Sequence, residues 1–199
     1  DKESGTYTYF LIDNAEAVII DSVKNNIERD IVTIVTQVVI DKDDPAFANP
    51  TKRIGMTCSK ERAEELRAGK GWIFKESQKK DGGWRRVVPS PMPIQIFNRD
   101  SIENIARKGA IVIAAGGGGI PVYIDEDKML RPVDAVIDKD FASALLAARI
   151  NADEFYILTD VPFVYINYNQ PGERKVEFLD KKDAETYLEE GMFGEGNMA

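Results

Sequence analysis

Four consecutive glycines, at positions 116–119, directly follow an apolar run that ends at Ala115. Because glycine has no Cβ, the backbone N–H groups of such a segment can approach an anion closely and form a phosphate-binding nest. No Gly-Lys-Ser/Thr follows, as a Walker loop would require, and Pro121 comes next where a dinucleotide fingerprint would start a helix. The pattern indicates phosphate binding. The alternative is a mobile turn, although four glycines are entropically costly to order.

A charged triplet, Asp138-Lys139-Asp140, precedes a segment rich in alanine and leucine. A lysine at a helix N-terminus interacts unfavourably with the helix dipole unless an anion is bound there. Together with the glycine nest, Lys139 makes phosphoryl transfer plausible, because that chemistry depends mostly on positioning and charge stabilisation. The alternative is a solvated turn in which Asp138 or Asp140 only caps the helix.

Composition narrows the chemistry further. The formal net charge of −8 argues against a nucleic acid or an anionic membrane as partner. The chain has no histidine and a single cysteine, Cys58, which excludes an internal disulfide, Ser-His-Asp catalysis and histidine-based zinc sites. We interpret Cys58 as structural rather than nucleophilic, and the cysteine usage favours a cytoplasmic location. No stretch is apolar and long enough to span a bilayer.

These residues need elements that position them, and alternating strand and helix patterns predict an α/β fold. The predicted helices are residues 11–29, 59–68, 101–108, 141–150 and 181–190. Strands, some with turns, are predicted at residues 31–40, 71–76, 83–93, 110–115, 135–140 and 154–160, with a hairpin of 164–168 and 175–179. Glycines 116–119 and the charged triplet then follow two strand ends, where open α/β sheets bind ligands.

Helix termini are predicted from capping patterns. Ser59 is a plausible N-cap for the second helix, which Gly69 would close. Asp100 and Glu103 form a possible capping box for the third helix. Asp180 can cap the last one.

Five segments, in the same order, resemble the carbamate kinases within the amino acid kinase family: DDPAFANPTKRIG, RRVVPSPMP, AAGGGGIPV, AVIDKDFASALLA and LTDVPFVYINY. The similarity covers about residues 31–198. It implies a three-layer α/β/α sandwich around a mostly parallel sheet, with a small protruding lid subdomain. It also implies reversible phosphoryl transfer between carbamoyl phosphate and ADP, giving ATP and carbamate. Mg²⁺ with ATP or ADP, a homodimer, a cytoplasmic enzyme and a place in arginine metabolism through the arginine deiminase pathway are implied as well.

The resemblance also implies roles for individual residues. The glycines would meet the transferred phosphate: Gly116, Gly117, Gly118 and Gly119. Lys139 would stabilise the moving phosphoryl group, Asp140 would orient the lysines, and Lys52 would lie on the lid over the carbamate site. The nucleotide pocket would be formed by Lys139, Thr159, Asp160 and Tyr165. Arg85 and Arg86 match a motif without an assigned role, and no metal ligand is assigned.

The same resemblance implies a division into three regions. Residues 1–40 would be part of the N-terminal, carbamate-side region, residues 41–93 the protruding lid, and residues 94–199 the remainder of the substrate region and the start of the nucleotide-binding region. The family's N-terminal Gly-Gly-Asn loop has no counterpart here, nor does a Pro-Lys beyond GMFGEGNMA whose lysine contacts the ATP phosphates. We therefore expect the sequence to be part of a longer chain, incomplete at both ends.

Two other functions remain open. Another phosphotransferase of the family, acting on glutamate, acetylglutamate or a nucleotide, would share the glycines but should lack RRVVPSPMP and the PTK lid. A catalytically degenerate scaffold is favoured by the altered N-terminal region, but the retained Lys52, Lys139, Asp140 and glycines argue against it. Phosphoryl transfer from carbamoyl phosphate to ADP distinguishes a carbamate kinase from the first alternative. A rise in melting temperature on addition of ADP distinguishes an enzyme from the scaffold.

Overall fold

The computed structural model describes residues 24–77, 82–158 and 162–193. The chain divides into two compact units, one up to Phe155 and one from Tyr156 onward. Most of the predicted helix 11–29 lies outside the described residues. Within the described ranges, no helix has both the length and the apolar character needed to cross a bilayer.

The first unit contains nine strands and three α-helices among its described residues. The strands are β1 (Ile31–Thr33), β2 (Gln37–Ile40), β3 (Lys52–Cys58), β4 (Ile73–Glu76), β5 (Trp84–Val88), β6 (Pro93–Ile96), β7 (Ile111–Ile113), β8 (Ile120–Ile124) and β9 (Leu130–Pro132). The helices are α1 (Lys60–Lys70), α2 (Arg99–Arg107) and α3 (Lys139–Arg149). Short 3₁₀ helices occupy Pro45–Phe47 and Gly116–Gly118.

The glycine loop connects two separate sheets, and the strands on either side of it belong to parallel pairs. Strand β1 pairs with β7, and β2 pairs in parallel with β8. Antiparallel strands extend the second pair into a sheet of order β6-β2-β8-β9. The predicted α/β fold class is confirmed, with these two parallel pairs and antiparallel pairs in the described residues. The predicted strand 31–40 is interrupted at Ile34–Thr36, because the chain there leaves its pairing with β7 and begins its pairing with β8.

The main core lies between this sheet and helices α2 and α3. Each helix buries residues four positions apart, Ile102 with Ala106 and Ala142 with Leu146, which places them on one helical face. The buried cluster is formed by Val38, Ile40, Ile96, Ile102, Ala106, Val112, Ala114, Ala115, Ile137, Ala142, Leu146 and Ile150. It includes both the residue before the four glycines and the residue before the charged triplet, so the core fixes both segments.

A separate antiparallel sheet of order β3-β5-β4 lies within residues 41–93. Helix α1 follows β3, and the Ser59 side chain caps it by accepting a hydrogen bond from Arg62 N at 3.2 Å. The helix ends at Gly71, with φ 67°, and not at Gly69 as predicted. Only Gly71 has the left-handed conformation that ends a helix, while Gly69 lies inside the last turn.

The predicted capping box of helix α2 is wrong. The helix begins at Arg99, with Asn98 at the N-cap, so Asp100 lies in its first turn. The Asn98 side chain instead accepts a hydrogen bond from Gln37 N at 2.9 Å. Glu103 pairs with Arg107 at 2.8 Å, one helical turn further on.

Two predicted strands are absent from the described residues. Residues 135–138 form an irregular segment that donates a hydrogen bond from Val136 N to Pro89 O at 3.0 Å, and helix α3 begins directly afterwards. Residues 154–158 form no strand either, and Leu158 is 91% exposed. Apolar composition suited both segments to strands, but the described residues supply no strand that pairs with them.

The described part of the second unit contains β10 (Val164–Ile166), β11 (Arg174–Val176) and α4 (Lys181–Glu189). The two strands pair antiparallel, which confirms the predicted hairpin. Asp180 caps α4 by accepting a hydrogen bond from Asp183 N at 2.8 Å, also as predicted.

Candidate active site

The glycine segment is a compact turn between β7 and β8. Its N–H groups at Gly118 and Gly119 donate to the carbonyls of Ala115 and Gly116 at 2.9 and 3.1 Å. The backbone at Gly117, Gly118 and Gly119 has φ angles of 64°, 100° and 83°, which side chains other than glycine rarely adopt. The segment is therefore an ordered loop held by its own hydrogen bonds.

The four glycines divide into two pairs with different surroundings. A Cβ at Gly118 would overlap the carbonyl oxygen of Ile137, and one at Gly119 would lie 2.6 Å from Val38 Cγ2. A Cβ at Gly117 would meet no atom within 4 Å, and both Gly116 and Gly117 are exposed. The second pair allows the loop to pack on the core, and the first pair is the part of the loop that an anion can reach.

The charged triplet lies at the N-terminus of helix α3. Asp138 is the N-cap, and its Oδ1 accepts a hydrogen bond from Asp140 N at 2.9 Å. Lys139 is the first helical residue and is exposed, while Asp140 is half-buried in the first turn. Of the two residues considered as caps, Asp138 fills that position. The positive charge of Lys139 lies where the helix dipole favours an anion.

Lys52 reaches this helix terminus from the start of β3. Its Nζ lies 2.6 Å from Asp138 Oδ2, and the two side chains are 37% and 31% exposed. Partial burial opposes ionisation of Asp138, but hydrogen bonds from Lys52 and from the N–H groups of Asp140 and Phe141 outweigh it, so the pKa of Asp138 is lowered. The aspartate is therefore held in its charged form beside the lysine.

The structure brings together, within the first unit, the residues predicted to act on the phosphoryl group. We call these the phosphate-side residues: Lys52, Lys139, Asp140 and glycines 116–119. Gly118 contacts Ile137, the residue before Asp138, and Asp138 binds Lys52 and caps the helix that begins at Lys139. Three segments that are distant in sequence thus meet at one helix terminus. They place two lysines, one exposed backbone turn and two carboxylates in the same region.

Of the four predicted nucleotide residues, Tyr165 lies in the described part of the second unit. Tyr165 is half-buried in β10, and its ring centroid is 5.5 Å from that of Tyr168. Thr159 and Asp160 lie outside the described residues. Lys139, the fourth predicted nucleotide residue, belongs to the first unit.

Arg86 contacts the segment that leads to helix α3. Its guanidinium donates to Asp134 at 3.0 Å and lies 4.0 Å from the centroid of the Trp72 ring. These contacts connect β5 to residues close to Asp138. Arg85 is half-buried in the same strand. Cys58 donates from Sγ to Trp84 O at 3.4 Å within this sheet.

Two residues at the site escaped the sequence analysis. Asp138 was considered only as a helix cap, and its pairing with Lys52 spans 86 positions of sequence. Thr36 is buried between β1 and β2, and its hydroxyl accepts a hydrogen bond from Ala115 N at 2.8 Å. A polar residue within the apolar run IVTIVTQVVI was the available signal for Thr36.

Comparison with known proteins shows the family of this chain. The family model of the amino acid kinase family matches residues 55–199. The chain belongs to the amino acid kinase family. Among similar members, the carbamate kinase of Thermoplasma acidophilum is 47% identical over 175 residues, and that of Staphylococcus haemolyticus is 48% identical over 173. These matches confirm the resemblance found in the five motifs.

Solved structures with a similar fold include a carbamate kinase. The carbamate kinase from Giardia lamblia bound to AMP-PNP matches with a TM-score of 0.78 at 39% identity, over 92% of this chain and 58% of that one. A crystal structure from Aeropyrum pernix K1 matches with a TM-score of 0.81 at 40% identity, over 92% of this chain and 58% of that one. The curated relatives are matched over 88% and 87% of this chain but only 56% and 55% of their own length. The chain thus spans little more than half of the relatives it matches.

Proposed function

We propose that the protein is a carbamate kinase, which transfers a phosphoryl group reversibly between carbamoyl phosphate and ADP to give ATP and carbamate. The observation that carries the proposal is the approach of Lys52 to the N-terminus of α3, within 2.6 Å of Asp138 and beside the glycine loop. The similar carbamate kinases of Thermoplasma and Staphylococcus support the choice of substrate.

The arrangement suits a reaction that needs charge stabilisation rather than proton transfer. The phosphoryl group in flight carries negative charge on three oxygens, and catalysis consists mainly of positioning and neutralising it. Lys139 and the N-terminal N–H groups of α3 supply positive charge on one side, and the exposed turn at Gly116 and Gly117 supplies backbone on the other. Carbamate and ADP both attack as anions, so the absence of histidine from the sequence is no obstacle.

Each predicted site residue has a proposed task. Lys139 acts on the transferring group, and Lys52 binds the carbamoyl end after leaving Asp138. Asp140 orients the lysines from the first turn of α3. Tyr165 contributes to nucleotide binding together with Thr159 and Asp160.

The remaining features of the proposal concern the whole protein. Kinases use ATP and ADP with Mg²⁺, but the described residues include no group of three or more carboxylates or thiols that could hold a metal ion. We assign no protein ligand, since Mg²⁺ in such sites is commonly held by phosphates and water. A cytoplasmic homodimer that acts in arginine breakdown through the arginine deiminase pathway completes the proposal.

The experiment is a comparison of phosphoryl donors and acceptors. We expect ATP to form from ADP, Mg²⁺ and carbamoyl phosphate, with weaker use of acetyl phosphate, and no ADP to form from ATP with glutamate. Activity with glutamate but not with carbamoyl phosphate would assign the protein to another branch of the family. A scaffold would also fail to bind ADP. An enzyme that binds ADP gains about 2.7 kcal/mol of stability when the ADP concentration is 100 times the dissociation constant.

A further inference from the structure

Thr36 lies at the point where the first long apolar segment passes from β1 to β2. Its exposed fraction is 3%, and with Ser143 it forms the pair of buried polar side chains in the described part of the chain. A buried hydroxyl is costly unless its hydrogen bonds are satisfied. The partners of Thr36 therefore indicate what the residue does.

Those partners lie at both ends of the glycine loop. The Thr36 hydroxyl accepts from Ala115 N at 2.8 Å and donates to Ile34 O at 2.9 Å. The Thr36 carbonyl accepts from Ile120 N at 2.8 Å. Ala115 immediately precedes the four glycines, and Ile120 immediately follows them. One residue thus holds the entry and the exit of the loop.

The loop also fits closely over Thr36. A Cβ at Gly119 would lie 2.9 Å from the Thr36 carbonyl oxygen, so the backbones approach as closely as glycine permits. Ala115 has a φ of 53°, a left-handed conformation that is unfavourable for a residue with a Cβ. The hydrogen bond from Ala115 N to the Thr36 hydroxyl oxygen holds Ala115 in that conformation, which sets the direction in which the glycines begin.

We propose that Thr36 is a positioning residue that holds the glycine loop in its phosphate-binding conformation. This inference rests on the proposed function for its catalytic consequence, but the hydrogen bonds stand apart from it. Four glycines have more conformational freedom than any other tetrapeptide, and fixing both ends removes much of it before the phosphate arrives. Thr36 acts through the loop and does not touch the substrate.

Substitution of the hydroxyl separates this function from simple packing. Thr36→Val keeps the shape and removes the acceptor for Ala115 N, while Thr36→Ser keeps the hydroxyl. We expect Thr36→Val to lower kcat about 10- to 100-fold, as small displacements of positioning groups do. The KM for ADP should change by less than about twofold, because the loop serves the transferring group. Thr36→Ser should restore most of the turnover.

The matched control is Thr33→Val, three residues earlier in β1. Thr33 is exposed, so Thr33→Val replaces a hydroxyl by a methyl group, as Thr36→Val does, at a position away from the loop. Its turnover should equal that of the unchanged protein. If Thr36→Val does not fold, Thr36→Cys replaces it, since a thiol is a similar shape and a weaker acceptor. Thermal unfolding of every variant identifies that case.

A second readout does not depend on activity. Amide hydrogen exchange followed by NMR should show faster exchange at Ala115 in Thr36→Val than in Thr36→Ser, by about tenfold or more for a lost hydrogen bond. Inorganic phosphate should shift the Gly116 and Gly117 amide signals at lower concentration in Thr36→Ser than in Thr36→Val. Unchanged exchange at Ala115, or equal impairment of the Ser and Val variants, would overturn the proposal.

The two proposals fail in different ways. If the unchanged protein makes no ATP, the proposed function is wrong, and the exchange and phosphate titrations alone decide the role of Thr36. If ATP forms and Thr36→Val turns over normally, the proposed function stands and the positioning role is wrong.

Discussion

At the scale of single residues, the site depends on how three charged side chains share one helix terminus. Asp138 binds Lys52 through Oδ2 and the α3 backbone through Oδ1. Lys139 follows it and occupies a position where the helix dipole disfavours a cation. In the proposed function, a phosphoryl anion bound here would interact favourably with both lysines and with the helix dipole.

Asp138→Asn tests the ion pair while keeping a good N-cap. At neutral pH we expect a loss of about 0.5–1 kcal/mol in the free energy of unfolding, the range for a partly exposed pair. The measurement is urea denaturation, and Asp138→Ala should cost about 1 kcal/mol more because it also removes the cap. If Asp138→Asn and Asp138→Ala are equally destabilising, the helix cap does not contribute to the free energy of unfolding. If Asp138→Asn has no effect, the ion pair with Lys52 does not contribute to it.

The pH dependence of the same variant gives a second prediction. The folded-state pKa of Asp138 lies below its unfolded value of about 3.9, so the unfolded chain binds more protons between the two values. The stabilisation is complete above about pH 5 and is lost as the pH falls through the folded pKa. The difference between the unchanged protein and Asp138→Asn in urea should therefore shrink near pH 3. A difference that grows in acid would contradict the assigned direction.

Sequence reasoning found residue types at this site better than it found their partners. The glycines and Lys139 were recognisable because phosphate chemistry favours bare backbone and a local cation. Lys52 was assigned only through the family resemblance. Its pairing with Asp138 depends on how β3 folds onto the start of α3, and local spacing carries no information about a contact 86 residues apart.

At the scale of elements, the glycine loop is the decisive feature, and its glycines are not equivalent. Gly118→Ala places a Cβ on the Ile137 carbonyl at a φ of 100°, whereas Gly117→Ala meets open space at a φ of 64°. We expect Gly118→Ala to lower the free energy of unfolding by about 2–5 kcal/mol and Gly117→Ala by about 1–2 kcal/mol. Urea denaturation measures both. Equal losses would show that the loop does not pack on Ile137 as described.

Helix α1 offers a matched pair of glycines. Gly69 lies inside the helix and Gly71 ends it in the left-handed conformation, and neither would bring a Cβ within 4 Å of another atom. Gly69→Ala should stabilise the protein by about 0.5–1 kcal/mol, and Gly71→Ala should destabilise it by about 1 kcal/mol. Thermal unfolding of the two variants decides where the helix ends. The reverse result, with Gly69→Ala destabilising and Gly71→Ala stabilising, would place the end of the helix at Gly69, as predicted from the sequence.

Element prediction succeeded where the pattern is local. Ser59 and Asp180 both cap helices as predicted, because a cap is satisfied by residues two or three positions away. The predicted strands 135–140 and 154–160 failed in their described parts because a strand requires a pairing partner from elsewhere in the chain. Ile137 is buried as the pattern indicated, but it packs under Gly118 rather than in a ladder.

At the scale of the whole molecule, the α/β class followed from the alternation of strands and helices. The division of the strands among separate sheets could not be predicted, because the break at Ile34–Thr36 depends on hydrogen bonds to Ala115 and Ile120. The described phosphate-side residues all belong to the first compact unit. A phosphate-binding function can therefore be tested on residues of that unit alone.

We propose that Lys139 stabilises a phosphoryl group passing from carbamoyl phosphate to ADP. The matched control is Lys60→Ala, because Lys60 is the first residue of α1 just as Lys139 is the first residue of α3. The measurement is ATP formation from ADP, Mg²⁺ and carbamoyl phosphate by the unchanged protein and both variants. Lys139→Ala should lower kcat about 100- to 1,000-fold while ADP binding and Lys60→Ala stay near normal. Normal turnover in Lys139→Ala, or no ATP from the unchanged protein, would contradict the account.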